Sequence, residues 1–202
     1  MNAKKRIPGK PFLRLANPLL EDLEGKIWER WQDLALVLCL KAEGEYRTIG
    51  DVKDDICGEF LNHMLEEARK NLEETSVVDD IAHRAKTVLQ EEGMDICAMA
   101  EDLEEMEDSL ITVITTQDTF NGAAAITLPA VQEKLREKYG SFYIVPSSIH
   151  EMLAFPADIP AGLGINEMIR RTNIQEVPVR EWLGDHAYFY ENGRITRVED
   201  PE

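Results

Sequence analysis

Long apolar runs are missing from this chain of 202 residues. The longest, Leu34 to Leu40, falls far short of the ~20 residues a membrane-spanning helix requires, so no membrane partner is expected. No apolar segment follows the basic N-terminal residues as a secretory signal would demand, and the expected home is cytoplasmic. Cysteine is scarce. Cys39, Cys57 and Cys97 are odd in number and far apart, which excludes a disulfide framework and zinc-ligand spacing and makes each a small buried hydrophobe. The chain also lacks a Gly-x-Ser-x-Gly elbow, and Gly122-Ala-Ala-Ala does not have the spacing of a phosphate-cradling loop. Basic charge is short as well: 22 Lys and Arg face 39 Asp and Glu, for a net charge of −17. Binding to nucleic acid runs on phosphate neutralisation, so nucleic-acid partners are excluded.

What acidity there is concentrates between Asp51 and Asp108, where 19 acidic side chains meet 5 basic ones. The opposite sign sits at the start. Lys4, Lys5, Arg6, Lys10 and Arg14, with Pro8, Gly9 and Pro11, make residues 1–14 read as a basic flexible leader. Leu34 to Leu40 reads as a strand covered on both faces. Thr48 with Asp51 forms a capping pattern ahead of Val52, Ile56, Phe60, Met64, Ala68 and Leu72, apolar at every fourth position, which predicts a long amphipathic helix. Ser76 with Asp79 repeats the pattern and predicts a second helix ending at Gly93, with a third over Ile96 to Met106. Trp28, Trp31 and Trp182 read as core anchors.

From residue 110 the period changes. LITVITTQ and GAAAITL read as two strands joined by the hairpin punctuation DTFN. Pro129 and Gly140 bound a helix, SFYIVP and HEMLAFP are two further strands, and short helices are expected over Ile165 to Thr172 and from Pro178 to near Gly184. HAYFY and RITRV flank Asn192-Gly193, the strongest short hairpin signal. The expected fold is α+β: a mostly antiparallel sheet with a β-β-α-β-β core and a C-terminal hairpin, packed with an acidic N-terminal helical layer. Residues 15–108 form a strand plus helical region and 109–202 an α+β region, the two packed as one domain.

The chemistry gathers at the corner PSSIHE, residues 146–151. In an extended chain Ser148 and His150 share a face while Glu151 points away, and in a helix Ser148 and Glu151 share one while His150 does not. Neither geometry makes a local nucleophilic triad, so turn hydrogen bonds and capping are the expected role. The candidate ligand-binding residues are Ser147, Ser148, His150 and Glu151, with Asn121, Asn173 and Asp185 as polar neighbours brought in by chain reversals. His63 with Glu66 and Glu67, joined by His83, is the one metal-like spacing, and no second carboxylate motif completes it. No catalytic residue, metal or cofactor is expected.

ITVITTQDTFNGAAAI, IVPSSIHEMLAFPA, Arg171-Thr-Asn and VPVREWLGDHAYFY together resemble a family of uncharacterised proteins of gut-dwelling Firmicutes, marked by the PSSIHE corner; WQDLALVL is similar to its Asp-Leu-Ala strand. The resemblance spans most of 15–198 and is most specific over 110–190. Family members carry an extra N-terminal region, so this chain is expected to be a short version or a fragment, and Thr116 stands where Asn is usual. The family brings no known activity, substrate or cofactor. The leading expectation is therefore a soluble binding or interaction module without catalysis, whose partner is an unknown protein, a small polar ligand or a further copy of the chain. The alternatives are a hydrolase using Ser148 and His150 with a distant carboxylate, and an acidic charge mimic that binds a basic protein.

Overall fold

The computed structural model describes residues 9–42, 45–49, 58–91, 93, 110–158 and 164–200. The first sheet is built on β3 (Leu34–Ala42). β1 (Lys10–Ala16) lies along one of its edges, while β2 (Trp28–Trp31) and β4 (Glu45–Thr48) share the other. Alternation along β3 sorts its apolar run onto two faces. Leu34, Leu36, Leu38 and Leu40 join Leu13 and Leu15 in the main core, whereas Ala35, Val37 and buried Cys39 pack with Ala16, Phe12 and Leu23 on the opposite side. Residues 10–14, expected as part of a basic flexible leader, form a strand instead. Residues from Lys10 onward form a strand because Leu13 and Leu15 alternate with Arg14, and Asn71 Nδ2 donates to the Pro11 carbonyl at 2.9 Å on its flank.

Helix α1 (Gly58–Thr75) buries Met64, Ala68 and Leu72, the fourfold spacing expected of its inner face, and packs on β1. Phe60 is exposed, and Thr48 is the last residue of β4, while Asp51, its expected capping partner, lies outside the described residues. Val52, Ile56 and Cys57 lie outside the described residues, as do Cys97, the third helix over 96–106 and the acidic run 101–108. Trp28 is 44 % exposed and so is not a core anchor; Trp31 packs against the core, and Trp182 Nε1 donates to the Val177 carbonyl at 2.8 Å.

The second sheet has six strands in the order β10-β9-β7-β8-β6-β5, and every neighbouring pair is antiparallel. They are β5 (Ser76–Asp80), β6 (Thr112–Thr116), β7 (Phe142–Ser148), β8 (Glu151–Pro156), β9 (Tyr188–Glu191) and β10 (Arg194–Arg197). Helices α2 (Ile81–Glu91), α3 (Pro129–Tyr139) and α4 (Ile165–Glu176) complete the α+β architecture. β7 and β8 take the central places, as their two apolar faces require. The β9–β10 hairpin turns at Asn192 and Gly193, both at positive φ.

Two expectations are corrected. Ser76–Asp80 is a strand paired with Thr112–Thr116, not the start of a helix, which begins at Ile81. The Ser76 hydroxyl instead donates to the Glu73 carbonyl at 2.9 Å, finishing α1, and β-branched Val77 and Val78 extend the sheet. A strand thus separates α1 from α2 where a continuous layer of helices was expected. GAAAITL is not a strand either. Gly122–Thr127 is a 3-10 helix, so the order after β6 is 3-10 helix, α3, β7, β8 in place of β-β-α-β-β. Ala123, Ala124, Ala125 and Ile126 are fully buried there, and small alanines let this short helix sit between β1 and α1 on one side and β6 and β8 on the other. The segment opened by Pro178 is only a three-residue 3-10 helix, Val179–Glu181.

Candidate functional site

The corner lies at one end of the two central strands. Pro146 has no N–H for the ladder, and the register of β7 against β8 shifts between Pro146 and Ser148. Ile149 and His150 then make the reversal. Nearly every polar group at this turn is tied down locally or by a neighbouring loop. The His150 N–H donates to Ser148 Oγ at 3.1 Å, the Thr115 hydroxyl donates to the His150 carbonyl at 2.8 Å, and the Ser147 hydroxyl donates to Glu151 Oε1 at 3.0 Å. The Ile149 N–H donates to the Glu181 carbonyl at 2.9 Å, and the Ile149 carbonyl accepts from the Ala123 N–H at 3.3 Å. Pairing of this kind is what a partly buried reversal requires.

The imidazole of His150 carries the rest. Its Nδ1 accepts the Asn121 main-chain N–H at 3.2 Å, which assigns the ring proton to Nε2 in the neutral form. Nε2 faces Glu181 Oε2 at 3.7 Å, within ion-pair range and beyond a hydrogen bond. A general base must turn one ring nitrogen to the hydroxyl it deprotonates and the other to its orienting carboxylate. Here the first nitrogen is occupied by a backbone amide, and the Ser148 oxygen accepts from the backbone of the same turn. Glu181, from outside the corner, is the carboxylate a hydrolase would need, yet among the described residues no hydroxyl contacts the imidazole.

The loop held by His150 borders a cleft of about 360 Å³ between the two sheets. Its floor is Pro11, Leu13 and Leu72; its wall is Thr116, Gln117, Asp118, Phe120 and Asn121; and Lys10, Lys41, Asn71, Glu74 and Thr75 edge it. Thr119 and Asn121 both stand at φ 55°, and for β-branched Thr119 that is a strained conformation. The Phe120 ring, 41 % exposed, tilts over the His150 ring with centroids 5.1 Å apart. Lys41 pairs with Asp118 across the cleft. Burial works to raise the Asp118 carboxyl and is outweighed by the Lys41 ammonium, the Thr116 hydroxyl and the Phe120 N–H, which together hold it below its ordinary value.

Of the expected site residues, Asn121, Ser147, Ser148, His150 and Glu151 meet at this corner. Asn173 and Asp185 do not. Asn173 Nδ2 donates to the Gly184 carbonyl at 2.8 Å, anchoring α4, and Asp185 Oδ1 lies 2.9 Å from His186 Nδ1. His186 is itself buried, with Nε2 3.2 Å from Asp33 Oδ2 but off the line of a hydrogen bond. Asp33 Oδ1 accepts the Tyr188 hydroxyl at 2.6 Å. The His186 contact, against partial burial, keeps the Asp185 carboxyl below its ordinary value, while burial first and the Asp33 carboxylate second push the Tyr188 hydroxyl far up. His63 is exposed, and His83 pairs with Asp79 at 2.5 Å on one turn of helix and strand end. Among the described residues no three His, Cys, Asp or Glu side chains converge to hold a metal, and no helix among them is long and apolar enough to cross a membrane.

Glu181, Thr115 and Phe120 carry no sequence signal for the corner, because each reaches it from a separate element. His186 could have been suspected from the Asp185-His186 pair next to an aromatic strand, whereas Asp33 carries no such signal. Compared with known proteins, residues 20–192 match the model of a family described as a family of unknown function, DUF5688. No curated protein and no solved structure matches the chain.

Proposed function

The chain belongs to this family of unknown function, and from its geometry we propose that it is a binding module without catalysis, in which a small polar ligand occupies the cleft between the two sheets. Ser147, Ser148, His150 and Glu151 then build and brace the cleft's supporting turn, and do not touch a reacting bond. One observation carries the reading: His150 Nδ1 accepts the Asn121 amide, so the ring is spent on holding the cleft loop. The cleft volume falls inside the ~300 to 1,000 Å³ typical of small-molecule sites, and its lining combines an apolar floor with a few convergent polar groups.

The hydrolase alternative draws its only support from Glu181 at 3.7 Å from His150 Nε2. The two readings part on turnover. Incubated with p-nitrophenyl acetate and with a peptide p-nitroanilide, the natural chain is expected to release nitrophenol and nitroaniline no faster than the Ser148→Ala variant. Release that depends on both Ser148 and His150 would replace the binding reading with the hydrolase.

A further inference from the structure

Asn121 is 5 % exposed and lines the cleft. Its main-chain N–H is committed to His150, but its carboxamide makes no hydrogen bond among the described residues. A carboxamide offers two N–H donors and an acceptor in one plane; here neither its oxygen nor its nitrogen is sealed from solvent, so a guest that covered them without pairing them would incur a cost. Such a group at a cavity wall, on a loop kept at positive φ and clamped from behind, is placed for something that enters the cavity.

Two further features narrow what that is. Among the described residues the ionic side chains edging the cleft are Lys10, Lys41, Glu74 and Asp118, two of each sign, with Lys41 and Asp118 paired. The lining therefore favours a neutral guest over an anion or a cation, and the net charge of −17 adds a general repulsion against anions. Next to Asn121 the half-exposed Phe120 ring offers an apolar, aromatic surface against which a second ring can stack or tilt.

We infer that the cleft recognises a neutral ligand bearing a planar amide edge on an aromatic ring, and that Asn121 is the residue that selects it by pairing donor to acceptor and acceptor to donor. His150 acts one step back, as a positioning residue, through the Asn121 amide. This rests on the reading that the cleft is the binding site. A site built to hydrogen-bond a group rejects the isostere that lacks it, because the site's own polar atoms are then left unpaired.

The probes are benzamide and acetophenone, close in shape, the second without N–H donors. Titrated into the full chain and followed by amide NMR, benzamide is expected to shift Asn121, Phe120 and Leu72 saturably and to bind at least about tenfold more tightly than acetophenone. Asn121→Gly removes the carboxamide and tolerates positive φ, and should erase that tenfold difference while the fold persists. Equal binding of the two probes at those resonances would overturn amide selection and leave the cleft as the site. No saturable shift with benzamide, or selectivity that survives in Asn121→Gly, would also overturn it. Ser148-dependent ester turnover would instead remove the underlying binding reading.

Discussion

At Gly122 a Cβ atom would fall 2.5 Å from the Thr116 main-chain nitrogen and 2.7 Å from the His150 carbonyl oxygen. Both neighbours are backbone atoms, one ending β6 and the other in the β7–β8 reversal, so neither can swing aside as a side-chain tip would. The glycine is required for close approach: it lets the buried 3-10 helix press against the β7–β8 reversal and brings Asn121 within reach of the imidazole. Gly122→Ala is therefore expected to destabilise the chain by about 3 kcal/mol, near the upper end for overpacking a tight core. The midpoint of urea unfolding measures it. A loss below about 1 kcal/mol would mean that the corner yields easily, and its role as a rigid wall of the cleft would fall.

Among the elements, the turn after β6 is tied to the first sheet through Asp118 and Lys41. The Asp118 carboxyl is held below its ordinary value of 3.8, burial opposing and Lys41, Thr116 and Phe120 prevailing. A carboxyl depressed in the folded state adds stability at neutral pH, and the addition fades as pH falls from 3.8 through the depressed value. Exchanging the carboxylate for a neutral amide of the same shape, Asp118→Asn, should lower stability near neutral pH and make no difference in strong acid. Parallel unfolding curves of the two chains at about pH 7 and below about pH 3 check this; an equal gap at both would show that the ion pair does not tether the turn.

The elements that could be read from sequence are those specified locally. Pro129 and Gly140 bound α3, Asn192-Gly193 turns the terminal hairpin, and the alternation of Leu34 to Leu40 makes a two-faced strand. The misread ones are decided by partners far along the chain. Ser76–Asp80 carries a capping pattern but pairs with Thr112–Thr116, and Gly122–Thr127 is small-residued enough for either conformation until its burial beneath β1 and α1 selects the compact one. The corner was legible as a set of tied-down polar groups because Ser148 bonds within its own turn. The cleft was not, because His150 finds Asn121 29 positions away and the floor comes from β1 and α1.

Across the whole molecule, the two sheets share one large buried cluster, running from Leu13 and Leu15 to Tyr188 and Tyr190. A polar strut accompanies that packing. Asp33, in the tight turn between β2 and β3, accepts the hydroxyl of fully buried Tyr188 from β9 at 2.6 Å, across 155 positions of sequence. Trp31 meets the same ring edge-on, with centroids 5.4 Å apart. Burial and the facing carboxylate both push the Tyr188 hydroxyl up, which keeps it protonated and donating at neutral pH. Tyr188→Phe keeps the ring and its packing and removes only the donor. Because Asp33 is half-exposed and water can replace the lost partner, the expected cost is about 1.5 kcal/mol, the lower part of the range for a hydrogen bond to a charged group. The measurement is a double-mutant cycle with Asp33→Ala, read by urea unfolding. Coupling of about 1 kcal/mol or more assigns the stabilisation to the strut. Strict additivity would mean that this hydrogen bond adds nothing to the joining of the sheets, and that Asp33 and Tyr188 meet only because Trp31 has already docked.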